Sequence, residues 1–201
     1  MSVPKKPETL VSIDGEFTGL VPGLHSMISF AAIAYTPGGE EIATFKRNMF
    51  ELPTATHWPA TMRWWDDHSR EYHLATEKPI EPLLAMQEFD LWLLSLPGRP
   101  ILMGWPLSYD FMFFTWYYVK FVCKELPFGH SGLDIRSFAM ACLKTKTFAG
   151  ESDGISMEMV AKLLHLPNSG MLHDPLDDAR RQAKLYFGLR RMLDGVTVSE
   201  E

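Results

Sequence analysis

The chain has 201 residues, 46% of them hydrophobic, and a formal net charge of −6. That length suits one domain with a sizeable core, and the acidic balance argues against a broad, non-specific grip on duplex nucleic acid. No apolar run reaches membrane-spanning length: Phe111 to Val122 is the most apolar stretch, and Lys120 interrupts it.

Met1 to Pro7 carries Lys5 and Lys6 but no apolar leader core after them, which points to a cytoplasmic protein. Thr9 to Asp14 is apolar and β-branched and predicts a first strand. It leads into Asp14-Gly15-Glu16-Phe17-Thr18. Alternate strand residues share a face, so the Asp14 and Glu16 carboxylates point the same way. Two such charges repel unless a cation sits between them, and a divalent ion with oxygen ligands is the usual partner. The competing reading is an exposed acidic turn, helped by Gly15 and Gly19.

Val21-Pro22-Gly23 reads as a loop. Met27 to Tyr35 reads as a second strand, buried on both faces. Pro37-Gly38-Gly39 is a turn, and Glu41 to Met49 alternates as a third strand, giving an antiparallel meander of three. Pro53 to His73 is rich in aromatics, and Thr61 to Trp65 suits a short helix. Paired tryptophans there serve as a hydrophobic plug or as a platform for a stacked base. Pro79 to Leu96 predicts a helix with Ala85, Phe89, Trp92, Leu93 and Leu96 on one stripe.

After Pro97-Gly98-Arg99-Pro100, Ile101 to Trp105 is a short buried strand. Ser108 is the expected N-cap of a helix from Tyr109 to Lys124, with Asp110 in its first turn, where the helix dipole favours an acid. Cys123 and Cys142 make no CxxC and are too few for a disulfide framework, so buried free thiols are expected. Asp134 opens a short strand end followed by a helix to Leu143. Lys144 to Asp153 is a loop, Ser156 to Leu164 a helix, and Pro167 to Gly170 a break. Asp174 fits a cap and Pro175 the first position of a last helix running to Leu193. Ala179, Ala183, Tyr186 and Leu193 share one face of it, and Gly195 ends it. The ordered core is expected from about residue 8 to 194 as one domain.

Four acids stand out by position: Asp14 and Glu16 at a strand end, Asp110 and Asp178 in the first turns of helices. His173 lies just outside the last of these. In this order the chain resembles the DEDDh branch of the proofreading-exonuclease superfamily, through Asp14-x-Glu16, Ser108-Tyr109-Asp110 and His173-x-x-x-x-Asp178. Thr61-x-x-Trp64-Trp65 and Gly104-Trp105 also resemble phage-type exonuclease A. Trp105-Pro106 stands where many relatives have His-Asn, at a position that bears on substrate preference.

The resemblance implies an α/β, ribonuclease-H-like fold: a central mixed sheet, three antiparallel strands then parallel ones, flanked by helices. It implies metal-dependent 3′–5′ hydrolysis at single-stranded nucleic-acid 3′ ends, DNA or RNA, releasing nucleoside monophosphates. Two Mg²⁺ or Mn²⁺ ions would be held by Asp14, Glu16, Asp110 and Asp178, Asp14 bridging them and Glu16 also near the attacking water. His173 would be the general base, its ordinary pKa suiting that task. Phe17 and Thr18 would meet the terminal nucleotide. The spacing favours Asp178 over Asp177, which is left as a neighbour of Arg180 or Arg181. His25, His57, His68, His73, His130 and His165 have no ligand spacing and read as surface or loop residues.

Two rivals differ in class. Asp14-x-Glu16-x-Thr18 approaches the opening motif of haloacid-dehalogenase phosphatases, but Glu replaces the second Asp and His173 would be idle. A non-catalytic adaptor of the same fold, binding a replication or repair partner through the Trp-rich segment, would not need the acids intact. A homodimer is the base-rate expectation for assembly.

Overall fold

The first strand, β1 (Glu8–Phe17), is longer than expected and carries both acids within it. Its alternation sets up the molecule. Val11 and Ile13 join one hydrophobic cluster, Leu10 another, and Ser12, Asp14 and Glu16 follow Leu10 in the strand's period of two. The computed structural model describes residues 7–144, 155–167 and 173–195.

β2 (Met27–Tyr35) pairs antiparallel with β1 and is buried along its whole length. β3 (Glu41–Asn48) pairs antiparallel with β2. β4 (Arg99–Gly104) lies parallel to β1 on the other side, and the two-residue β5 (Leu133–Asp134) lies parallel to β4. The sheet order is β3-β2-β1-β4-β5, the mixed sheet expected, with the meander opened by the acidic strand. Pairing of β1 with β4 stops at Ser12 and Met103, so the end of β1 runs on past its neighbour.

Between β3 and β4 come α1 (Pro59–Asp67), α2 (Ser69–Thr76) and α3 (Pro82–Ser95); α4 (Leu107–Phe121) follows β4. Phe89 and Leu93 of α3 and Phe113, Phe114 and Tyr117 of α4 pack on one sheet face with Val11, Ile13 and Phe30. After α5 (Ile135–Leu143) and α6 (Met157–Leu163) the chain ends its described part in α7 (Pro175–Leu193). Ala179, Ala183, Tyr186 and Phe187 of α7 cover the opposite face, against Leu10, Ile33 and Met103. Ser12, buried between, donates its hydroxyl to the Ala179 carbonyl at 2.8 Å. No described helix is long and apolar enough to cross a membrane.

Several local expectations are corrected. Ser108 does not cap α4: the helix begins at Leu107, and the Leu107 N–H donates to the Asp134 carboxylate at 2.7 Å. The same carboxylate accepts from Ser137 N at the start of α5, so one acid serves two helix ends. α2 had no signal read for it. Leu193 is 58% exposed, because α7 has by then outrun the sheet. Cys123 is exposed and Cys142 half-buried; the first sits beyond the last turn of α4, where the chain leaves the core. The Lys144 to Asp153 loop, the Pro167 to Gly170 break and both chain ends lie mostly outside the described residues.

Candidate active site

The acids gather where the sheet's two halves part. Asp14 and Glu16 project from the α7 side of β1, and α7 brings Asp178 to them from its first turn. One carboxylate oxygen from each of the three lies within 4.8 Å of the others. Asp110 arrives from the other side. The stretch of β1 beyond β4 leaves the Gly15 N–H free on that flank, and Asp110 Oδ1 accepts it at 2.9 Å. Asp110 is anchored by the strand that carries the other two.

Gly15 itself is in the strand, not in an exposed acidic turn. A Cβ there would come within 2.6 Å of Phe17 Cζ. Its absence lets the Phe17 ring fold back beside Tyr109 (centroids 4.9 Å) and Phe113 (4.1 Å). Tyr109 is fixed in turn by donating its hydroxyl to the Gly19 carbonyl at 2.7 Å. Asp14, Glu16, Asp110, Phe17, Trp64 and Tyr109 line one open cleft of about 330 Å³, with Trp105 and Pro106 on its wall.

Thr18 is committed elsewhere. Its side chain is fully buried, its N–H donates to the Ser26 carbonyl and its hydroxyl accepts from Ser26 N, both at 2.9 Å. Both tryptophans line the cleft, and they are held differently. Trp65 is a plug: it is buried, and its indole N–H donates to the Phe17 carbonyl at 2.9 Å. Trp64 faces the cleft, and the His173 imidazole meets it edge-on at 4.6 Å. His173 has a left-handed backbone (φ 60°), and its N–H donates to Asp178 Oδ2 at 2.9 Å.

The electrostatics of this group are strained. Burial, then the charges of Asp110, Glu16 and Asp178, push the Asp14 carboxyl well above the usual range. Burial and the charges of Asp178, Asp110 and Asp174 do the same to Glu16, opposed by Lys46. Burial pushes Asp110 up to about 7, although the Gly15 N–H pulls the other way. Burial also raises Asp178, against the pull of Arg181. Burial lowers the His173 imidazole below its ordinary value, with nearby His68 acting in the same sense.

Two helpers, Gln182 and Lys46, carry no signal of their role in the sequence motifs. Gln182, buried one turn after Asp178, donates to Asp14 Oδ1 at 2.7 Å and accepts from Trp105 N at 2.9 Å. Its place four residues from Asp178 on one helix face was the available signal. Lys46 pairs with Asp174 at 2.5 Å and lies in a cross-strand row with Ala31 and Asp14. Asp174 caps α7 as expected, through Leu176 N and Asp177 N. Asp177 pairs with Arg180 at 3.5 Å, and Arg181 approaches Asp178 Oδ1 at 3.0 Å. Among the other histidines, His25 is buried and accepts from Val21 N, and His57 pairs with Glu51.

The donor set suits a divalent cation. It offers carboxylate oxygens and no thiol, as hard ions of the magnesium or manganese kind require. Asp178 Oδ1 is buried, with the Arg181 guanidinium 3.0 Å away.

Comparison with known proteins shows the family and the fold. A family model described as Exonuclease (RNase T) matches residues 11–186. The Escherichia coli protein 3′–5′ DNA exonuclease Cap18 is 28% identical over 183 residues, covering 89% of this chain and 90% of its own length. The solved nuclease domain of 3′hExo, a DEDDh family member bound to rAMP, has a similar fold: TM-score 0.67 at 15% identity, over 97% of both chains. The Mg²⁺- and Mn²⁺-bound form of S. pombe Pop2p gives a TM-score of 0.68 at 16% identity, over 94% of this chain and 86% of that one. The phosphatase reading falls with the family match, which reaches from β1 into α7. On that reach the chain belongs to the exonuclease family.

Proposed function

We propose that this exonuclease removes nucleoside monophosphates from the 3′ ends of single-stranded nucleic acid, using two divalent cations, Mg²⁺ or Mn²⁺. The observation that carries it is the meeting of Asp14, Glu16 and Asp178 oxygens within 4.8 Å, with Asp110 hydrogen-bonded to the residue between the first two. These four acids would hold the ions. When bound, a pair of such ions neutralises the diester and the charge on its attacking and leaving oxygens.

The remaining work falls to the chain itself. Glu16 orients the attacking water. His173 accepts its proton, and a pKa below the ordinary value keeps the imidazole neutral and able to do so at pH 7. Gln182 fixes the rotamer of Asp14. The Phe17 and Trp64 rings flank the terminal nucleotide, while Thr18 acts from behind by locking the chain after β1 to Ser26. The adaptor alternative gives no reason for this many buried acids.

Release of mononucleotides from matched single-stranded DNA and RNA oligonucleotides, labelled at either end, tests the proposal. DNA is the first substrate to try, since Cap18 is a DNA exonuclease. Cation-dependent shortening from the 3′ end is expected. An absence of release from every strand with either ion supplied would refute it.

A further inference from the structure

Beside the acids stands a group of three rings, of which His68 alone has been given no task. Trp64 and His68, one turn apart at the end of α1, stack with centroids 4.1 Å apart and planes 18° from parallel. The His173 imidazole meets both edge-on, at 4.6 Å and 86° to Trp64 and at 4.9 Å and 79° to His68. His68 Nδ1 lies 2.8 Å from the Trp64 carbonyl. A carbonyl only accepts, so this nitrogen carries the proton and the ring is held flat on its neighbour.

The pair is anchored. Next to Trp64, Trp65 is tied by its indole N–H to the last residue of β1, the strand that bears Asp14 and Glu16. His173 is not anchored in this way. It precedes α7, and its backbone N–H donates to Asp178. Among the described residues, the rings that meet its imidazole are Trp64 and His68.

We propose that His68, stacked on Trp64, is a positioning residue: the two rings form a seat that holds the His173 imidazole at the rim of the acidic cleft. This rests on His173 being the base that accepts the proton from water. Two edge-to-face contacts bias a side chain toward one rotamer by about tenfold. The seat saves the enzyme from ordering its base anew in each turnover, the saving that orientation provides in general.

Steady-state kinetics of His68 variants, alone and with His173→Ala, test this. His68→Ala should lower kcat by about tenfold with KM and thermal midpoint unchanged, a misplacement effect. His68→Phe, which keeps a flat ring, should restore most of the rate, and His68→Leu should not. In the His173→Ala background, itself slower by about 10²–10⁴-fold, His68→Ala should cost nothing more. The His173 ring-proton resonances, displaced by the stacked rings, should move toward free-imidazole positions in His68→Ala. A full kcat in His68→Ala, or the same loss with His173 already gone, would overturn the seat. If His68→Ala is unstable, equal rates for the Phe and Leu variants at equal midpoints would overturn it instead. A wild-type rate in His173→Ala would overturn the base assignment and the seat together; a slow His173→Ala with an unaffected His68→Ala overturns the seat alone.

Discussion

Asp14 illustrates how one side chain is held against its own preference. It is surrounded by three other acids, and its neutralising contact from the protein is a single amide, Gln182. Asp14→Asn removes a like charge from that crowd. The variant should fold with a thermal midpoint, measured in chelator, at or above that of the parent. Turnover should fall by roughly a thousandfold, matching the several kcal/mol a bound cation supplies. Retained turnover in a release assay would show that Asp14 is not a ligand. The sequence made Asp14 and Glu16 legible because strand alternation fixes their common direction whatever surrounds them. It did not reveal Gln182 or Lys46, whose roles depend on which helix and which strand come alongside.

The elements teach the same distinction between local and distant causes. β2 matches its expected bounds because a strand buried on both faces reads as an unbroken apolar run. The start of α7 was legible because its cap and first proline are adjacent in sequence. The start of α4 was not, because the group that satisfies its first N–H is Asp134, brought in from another strand. Trp64 and Trp65 could not be told apart in sequence, since which ring is buried and bonded to Phe17 depends on how α1 sits against the end of β1. At this scale α7 acts as a ruler, setting Asp178 and Gln182 one turn apart along the acidic strand. Gln182→Ala should weaken Mn²⁺ binding by about 10–100-fold, the usual effect of losing a group that orients a ligand. Calorimetric titration of the metal-free protein measures this, and unchanged affinity would confine Gln182 to its bond with Trp105.

For the whole molecule, the acid cluster couples stability to pH and to metal. The folded pKa of Asp110 is pushed up to about 7, and those of Asp14, Glu16 and Asp178 are raised as well. Unfolded carboxyls release their protons near pH 4. Between those values the native chain binds more protons than the unfolded one, so stability falls as pH rises. In chelator the thermal midpoint should therefore drop from pH 5 to pH 8, and Mn²⁺ should remove most of the drop by binding the native state alone. A midpoint insensitive to pH in chelator would contradict the charge crowding described.

The end of β1 outruns β4, and a strand with a bare flank is an invitation to aggregate, since any stray chain can add to it. Here the first turn of α4 occupies that flank, and Asp110 takes the hydrogen bond that an intruding strand would seek. The carboxylate that blunts the sheet is also one of the acids assigned to the chemistry. On the proposed function, guarding the strand edge and holding metal would fall to one residue, and losing it would open the flank as well as idle the enzyme.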